Sequence, residues 1–277
     1  MEYKDLVNDA YYYDKTGMLL KGDCLEWMEK LPDKSVDMVL CDLPYGITSC
    51  KWDTVIPFEP LWLQYERIIK DNGAIVLTAS QPFTSALVMS NPKLFKYEWI
   101  WNKRRAANFL SAKFQPMKFH ENILVFSKGG ANNGSKIAMK YFPIMRDLSD
   151  SSQERYKYNF KNGVVSDNLI GRISQSFLRD KEWKNNQNGN YPKSILEFKL
   201  PSKKLHPTQK PVPLFEYLIK TYTNENEIVL DNCAGSCTTA IASKNTNRKW
   251  ICIEKEEKYC QISKDRLIKF NNDNEDI

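Results

Sequence analysis

Short apolar runs closed by charged or turn residues recur along the first third of the chain. Residues 18–23 (MLLKGD), 35–42 (SVDMVLCD) and 73–80 (GAIVLTAS) have the pattern of strands buried on both faces. Between the second and third, Leu61, Leu63, Ile68 and Ile69 fall at helical spacing and predict a helix over about 58–70. Two further runs, 97–103 (YEWIWNK) and 121–128 (ENILVFSK), have no convincing helix between them and predict an antiparallel pair at a sheet edge. The rhythm resumes near the carboxyl end. It predicts a helix over 211–223 with Pro near its start, a strand over 227–231, a helix through TTAIAS, a strand over 249–254 and an amphipathic helix from 256 to about 270. Strands alternating with helices predict a parallel α/β sheet.

Residues 129–195 differ in character. Gly, Asn, Ser, Lys and Arg crowd into segments such as GGANNGSK and KNNQNGNYPK, and apolar periodicity fades. This predicts an inserted module between two halves, 1–128 and 196–277, that pack as one domain. A formal charge of +6 is a mild lean toward polyanionic partners, and ordinary solubility explains it equally well. The seven cysteines are odd in number and several sit in apolar runs, so buried reduced thiols are expected. Cys233 and Cys237 have no second Cys/His pair at finger spacing, and no metal is expected. No stretch approaches the roughly 18 to 20 apolar residues of a membrane span, and the polar amino terminus is unlike a signal peptide. A cytoplasmic protein is the expectation.

Two segments carry candidate chemistry. DNCAGSCTT (231–239) stands where an apolar strand gives way to a helix, and small residues there let backbone N–H groups approach an anionic or carboxylate-bearing ligand. Glu254, ending the next strand, is placed to hold the ribose of a nucleotide-type cofactor. The second segment, CDLPYG (41–46), sets the acceptor Asp42 beside the aromatic ring of Tyr45, with Pro44 stiffening the turn. A carboxylate next to a stacking ring suits an amino group on a flat base. Either segment alone is equally well a strand-to-helix turn or a capped turn.

Together, DLPYG at 42–46, HPTQKP at 206–211 and DNCAGSCTT at 231–239 resemble, in kind and order, the DNA amino methyltransferases of the beta arrangement. GDCLEWMEKLPDKSVDMVLCDLPYG and RKWICIEKEEKYCQISKDRL extend the likeness to about three quarters of the chain, leaving 129–195 unmatched. The resemblance implies a methyltransferase fold with a seven-stranded, mostly parallel sheet, circularly permuted so that the cofactor half comes last. It implies S-adenosylmethionine as cofactor and transfer of its methyl group to the amino group of a flipped base in double-stranded DNA. Asp at the head of the tetrapeptide favours adenine; a cytosine amino group and an inactive DNA-binding homologue are the alternatives.

By the same resemblance Asp42, Leu43, Pro44 and Tyr45 form the catalytic segment, Leu43 through its backbone carbonyl. Asp231, Cys233, Gly235, Ser236 and Thr238 line the methionine part of the cofactor, Glu254 holds its ribose and Asp23 sits near its adenine. Thr208, Gln209 and Lys210 close the pocket. Lys103, Arg104 and Arg105 are candidate phosphate contacts, and Arg146, Arg155, Arg172 and Arg179 of the insertion are candidate base readers. A second copy of the chain and a cognate restriction endonuclease are candidate partners. Cys237 departs from the family's Gly, and a Cβ there crowds the loop if φ is positive.

Overall fold

The computed structural model describes residues 6–48, 50, 52–146, 190–202 and 204–275. The elements are β1 (Tyr12–Asp14), β2 (Gly17–Lys21), α1 (Cys24–Lys30), β3 (Val36–Asp42), α2 (Phe58–Ile68), β4 (Ile69–Ala79), α3 (Phe83–Ser90), β5 (Phe95–Ala107) and β6 (Lys118–Phe126). They continue with β7 (Ile195–Glu197), α4 (Val212–Tyr222), β8 (Ile228–Asp231), α5 (Thr238–Asn245), β9 (Lys249–Glu254) and α6 (Glu257–Glu275). One nine-stranded sheet runs in the order β1-β2-β9-β8-β3-β4-β6-β5-β7. Its centre, from β2 to β4, is parallel, and β6 pairs antiparallel with both β4 and β5.

The expected parallel core is present, with two strands more than the seven expected. The short β1 folds back on β2, and β7 pairs parallel with β5 and takes the edge that the β5–β6 pair was expected to form. Three-residue strands carry too little periodicity to be read from sequence. The helices α1 and α3 were missed as well: they are seven and eight residues long, too short for two full repeats of a helical pattern.

Alternation along the strands explains the layers. Val39 and Cys41 of β3, with Ile75 and Leu77 of β4, point to the face covered by α1, α2 and α3. Their neighbours Met38, Leu40, Ala74 and Val76 point to the opposite face, where Leu214, Phe215, Leu218 and Ile219 of α4 pack. On that same side Leu19, Trp250 and Cys252 meet Ala240 and Ile241 of α5 and Cys260 and Leu267 of α6. Strands buried on both faces are why the sequence shows continuous apolar runs there.

The chain divides into two compact units, Met1–Phe142 with Ser194–Ile277, and Pro143–Lys193. The smaller unit is narrower than the expected 129–195 insertion, because residues 129–142 are tied to the sheet. The Lys140 N–H donates to the Asn72 carbonyl (2.9 Å) and the Phe142 N–H to that of Thr221 (2.7 Å). Within the smaller unit Arg146 and Asn190 exchange two backbone bonds of 2.8 Å, and the Arg146 guanidinium donates to the Tyr191 carbonyl. Arg155, Arg172 and Arg179 lie outside the described residues.

Asp37, almost wholly buried on β3, fastens the 129–142 segment and β8 to the sheet. Its Oδ1 accepts from Lys70 (2.8 Å) and Lys140 (3.0 Å), and its Oδ2 accepts from the Ile228 N–H (3.1 Å). Burial pushes the carboxyl up, and these donors together outweigh it, holding the group below its ordinary range. Asp37→Ala leaves the Ile228 N–H without its acceptor and the buried Lys140 ammonium with Glu227 as its one remaining carboxylate. We expect it to lower the urea midpoint by the equivalent of about 2 kcal/mol, less than the roughly 3 to 5 kcal/mol of breaking a fully buried pair, because Lys70 is partly in water and Lys140 keeps Glu227. An unchanged midpoint would remove Asp37 from this role.

Candidate active site

The carboxyl ends of β3 and β8 lie side by side, and from there the chain winds outward through β4 on one side and β9 on the other. A crevice outside such a switch point is where parallel sheets bind ligands. Asp42 ends β3, Asp231 ends β8 and Glu254 ends β9, so all three carboxylates reach one edge of the sheet. They line a cleft of about 650 Å³, within the usual range for small-molecule sites.

At one end stands Asp42. Its Oδ1 accepts from the Tyr45 hydroxyl (2.7 Å) and from the hydroxyl of Thr78, the residue paired with Asp42 on β4. Its Oδ2 is 2.5 Å from the Lys210 ammonium, which also lies 3.5 Å from Glu121 Oε2. Lys103 completes the row at 3.2 Å from Glu121 Oε1. Burial works to lower the Lys210 pKa, but the carboxylates of Asp42 and Glu121 raise it above the ordinary value, so the group is a cation. The Tyr45 ring stacks on Phe83, with centroids 5.1 Å apart, at the wall of the cleft. Leu43 turns its side chain into the core, while Pro44 lines the cleft.

The other end is built from the 231–238 loop. Asp231 accepts from the Cys233 N–H (3.1 Å) and the Thr239 hydroxyl (2.5 Å), and Glu254 accepts from the N–H groups of Gly235 (2.7 Å) and Glu256 (2.8 Å). Desolvation dominates both carboxyls, raising Asp231 to about 6 and Glu254 to about 7. From α6, Ser263 donates to the Gly235 carbonyl (2.8 Å) and Arg266 to the Ser236 carbonyl (2.7 Å), fixing the loop from below. Gly235 has φ +52°, and a Cβ there would meet the His206 ring at 3.4 Å. His206 packs between Trp52 and Tyr259, with centroids at 4.9 and 4.2 Å, and burial lowers its pKa to about 4, so the ring is neutral.

Cys237 does adopt a positive φ, +54°. Its side chain, however, is buried with Leu19, Ala240, Trp250 and Cys252 beneath the loop and is not among the residues lining the cleft. The feared crowding is thus directed away from the ligand space. All seven cysteines are free.

Every cofactor residue expected from sequence lines this one cleft, with differences of detail. Asp23 caps α1 through the Leu25 N–H (3.0 Å) and its Oδ2 lies 3.2 Å from the Lys255 ammonium. Thr208 and Gln209 support the segment itself, Thr208 with its hydroxyl 3.1 Å from His206 Nδ1 and Gln209 by accepting from the Leu205 N–H (2.8 Å). Lys210, expected to help close the cofactor pocket, lines the same cleft and reaches Asp42. Of the expected phosphate contacts, Arg104 and Arg105 are exposed, but Lys103 is buried and spent on Glu121. β5 turns Lys103 into the cleft, away from where a phosphate would lie.

Sequence reading missed Thr78, Glu121, Phe83 and Asp53. Thr78 left a trace as a hydroxyl inside an otherwise apolar run. Asp53 left none. It is buried and its two oxygens accept from the N–H groups of Gly46 (2.9 Å), Ile47 (3.0 Å) and Thr48 (2.7 Å), which sets the shape of the loop after DLPY.

Residues 36–265 match the N6/N4 DNA methylase family. The chain belongs to that family. It is similar to the type II methyltransferase M.HinfI of Haemophilus influenzae, 28% identical over 99% of this chain and 73% of that protein. M2.LlaDCHI of Lactococcus lactis subsp. cremoris is 26% identical over 95% of this chain and 94% of its own length. The fold is that of the PvuII cytosine-N4-specific DNA methyltransferase, with a TM-score of 0.62, 15% identity and coverage of 95% and 94%. It is also that of M1.HpyAVI in complex with SAM, with a TM-score of 0.56, 23% identity and coverage of 91% and 100%.

S-adenosylmethionine is the methyl donor of this family. The cleft suits it: a glycine cradle, unfilled carboxylate lone pairs at Asp231 and Glu254, and no lysine or arginine paired to either carboxylate among the described residues to repel a sulfonium. Two outcomes follow. Asp53→Ala removes the acceptor of three N–H groups, and calorimetry should show S-adenosylmethionine binding weakened about tenfold, with the cofactor-free melting temperature little changed. If Glu254 holds the cofactor's ribose, as the resemblance implies, the ribose hydroxyls would donate to the carboxylate form. Because its pKa is raised to about 7, binding should weaken below pH 7, approaching tenfold per pH unit, and Glu254→Gln should abolish that dependence between pH 6 and 8. A wild-type profile flat over that range would free Glu254 from the ribose.

Proposed function

We propose that this protein is a site-specific DNA methyltransferase that methylates the amino group of adenine in a short duplex sequence after flipping the base into the cleft. The observation that carries the reading is Asp42, held at the switch point one strand away from the cofactor loop and beside the Tyr45 ring. Bound S-adenosylmethionine supplies a methyl group on a cationic sulfur. The chain supplies position.

The amine of a flat base is a poor nucleophile because its lone pair is delocalised into the ring. Oδ1 of Asp42 already has two hydroxyl donors and Oδ2 has one donor, the Lys210 ammonium, so the second lone pair of Oδ2 and the Leu43 carbonyl are the acceptors for the amine. Donating to both draws the amine out of the ring plane and directs its lone pair across the cleft toward the 231–238 loop. The face of Tyr45 away from Phe83 receives the base, offsetting part of the few kcal/mol that unstacking costs. In-line placement at roughly 3 to 3.5 Å then provides most of the rate. No covalent intermediate is needed, and no Pro-Cys pair, the setting of the nucleophile in carbon-5 cytosine methylation, occurs in the chain.

Asp rather than Ser at position 42 supports adenine; the likeness to a cytosine-N4-specific enzyme supports the cytosine amino group as the second reading. The type II relatives support a role beside a cognate restriction endonuclease.

Long-read modification sequencing of DNA from cells expressing the chain should reveal N6-methyladenine at one short motif. Asp42→Ala should bind S-adenosylmethionine normally and turn over about 100- to 1000-fold more slowly, the usual cost of one electrostatic contact to the reacting group. Methylation of cytosine at the motif would replace the adenine reading. No methylation by a soluble, cofactor-binding protein would overturn the DNA substrate itself.

A further inference from the structure

Between β5 and β6 the chain makes a ten-residue tip, 108–117, that satisfies its own backbone and turns its largest side chains into water. The Ser111 N–H donates to the Asn108 carbonyl (2.9 Å), the Ala112 N–H to Phe109 (3.1 Å) and the Phe114 N–H to Ser111 (2.9 Å). Asn108 Oδ1 accepts from the Lys118 N–H (2.8 Å) and closes the neck. The loop is therefore a defined turn. Yet Phe109 is 78% exposed, Leu110 94% and Phe114 89%. Single exposed apolar residues are ordinary, but three large ones clustered on one short turn mark an interaction surface.

The surroundings specify its partner. From Trp99 to His120 the chain has no acidic residue, while Arg104, Arg105, Lys113 and Lys118 supply four cations besides the buried Lys103. Apolar side chains on a cationic stem fit a polyanion with an apolar interior, and the base stack of a duplex is one. Lys103 and Lys118, at the two sides of the neck, line the cleft that holds Asp42, and Lys118 donates there to the Ser80 hydroxyl. The stem is thus continuous with the wall of the site.

We propose that this tip is a wedge that enters the DNA duplex next to the target base, with Phe109, Leu110 and Phe114 occupying the unstacked space that the flipped base leaves. The inference rests on the DNA methyltransferase reading above. It assigns to the tip the opening of the duplex, separately from methyl transfer, which belongs to the cleft.

The test uses oligonucleotide duplexes carrying the motif found by modification sequencing, one fully paired and one with the target base mispaired. The triple variant Phe109→Ser, Leu110→Ser, Phe114→Ser keeps the charge of the tip and alters only exposed positions. Its turnover on the paired duplex should fall about 10- to 100-fold, in line with the cost of unpairing one base. On the mispaired duplex it should return close to wild type, with S-adenosylmethionine affinity unchanged. The variant Phe109→Leu, Phe114→Leu, which keeps the tip apolar, should retain most activity on both. Equal turnover on the paired duplex, or an equal loss on both, would overturn the wedge while leaving the methyltransferase reading intact. A triple variant that loses self-association but keeps its turnover on paired DNA would assign the tip to a second copy of the chain instead. Wild-type protein that transfers no methyl group to either duplex would overturn the DNA reading and the wedge with it.

Discussion

The site depends on the parallel pairing of β3 with β8. Two strands from opposite ends of the chain lie together at the middle of the sheet, and the main chain leaves them in opposite directions. Among the described residues no helix fills the crevice outside their carboxyl ends, so Asp42 and Asp231 reach the same open space. The DLPYG segment and the 231–238 loop, separated by nearly two hundred residues of sequence, become neighbours through that pairing alone.

The two ends of the cleft handle buried charge in opposite ways. At Asp42, carboxylates and ammonium groups alternate from Asp42 through Lys210 and Glu121 to Lys103, so each charge has an opposite neighbour. Glu121 is held below its ordinary range despite burial because two lysines face it. At Asp231 and Glu254 the donors are backbone N–H groups and a hydroxyl, and desolvation prevails over them. In the proposed reading, a cofactor bearing a sulfonium and two ribose hydroxyls supplies the charge and the donors that this end lacks. A neutral amine needs no added charge at the other end, only an acceptor held still.

Aromatic packing closes the arrangement. Phe83 supports the Tyr45 ring, and Trp52 and Tyr259 hold His206 over Gly235. These side chains come from α3, the 46–57 loop, α6 and the HPTQKP segment, and none is close in sequence to the residue it supports. They fix the walls of the cleft without touching the reacting atoms.

What the sequence determined by itself was everything carried by local chemistry. Continuous apolar runs marked the central strands, helical spacing marked α2, α4, α5 and α6, and three ordered motifs marked both ends of the cleft, since a strand-to-helix turn that admits a ligand needs small residues and a carboxylate within a few positions. The tertiary structure decided what depends on partners far apart along the chain. It turned Lys103 inward to Glu121 and brought Lys210 to Asp42. It sent the Cys237 side chain into the core, set Asp53 under the catalytic loop and paired the three-residue strands. In each of these a side chain answers to its spatial neighbours, and a neighbour 18 or 168 residues away leaves no periodicity for the sequence to show.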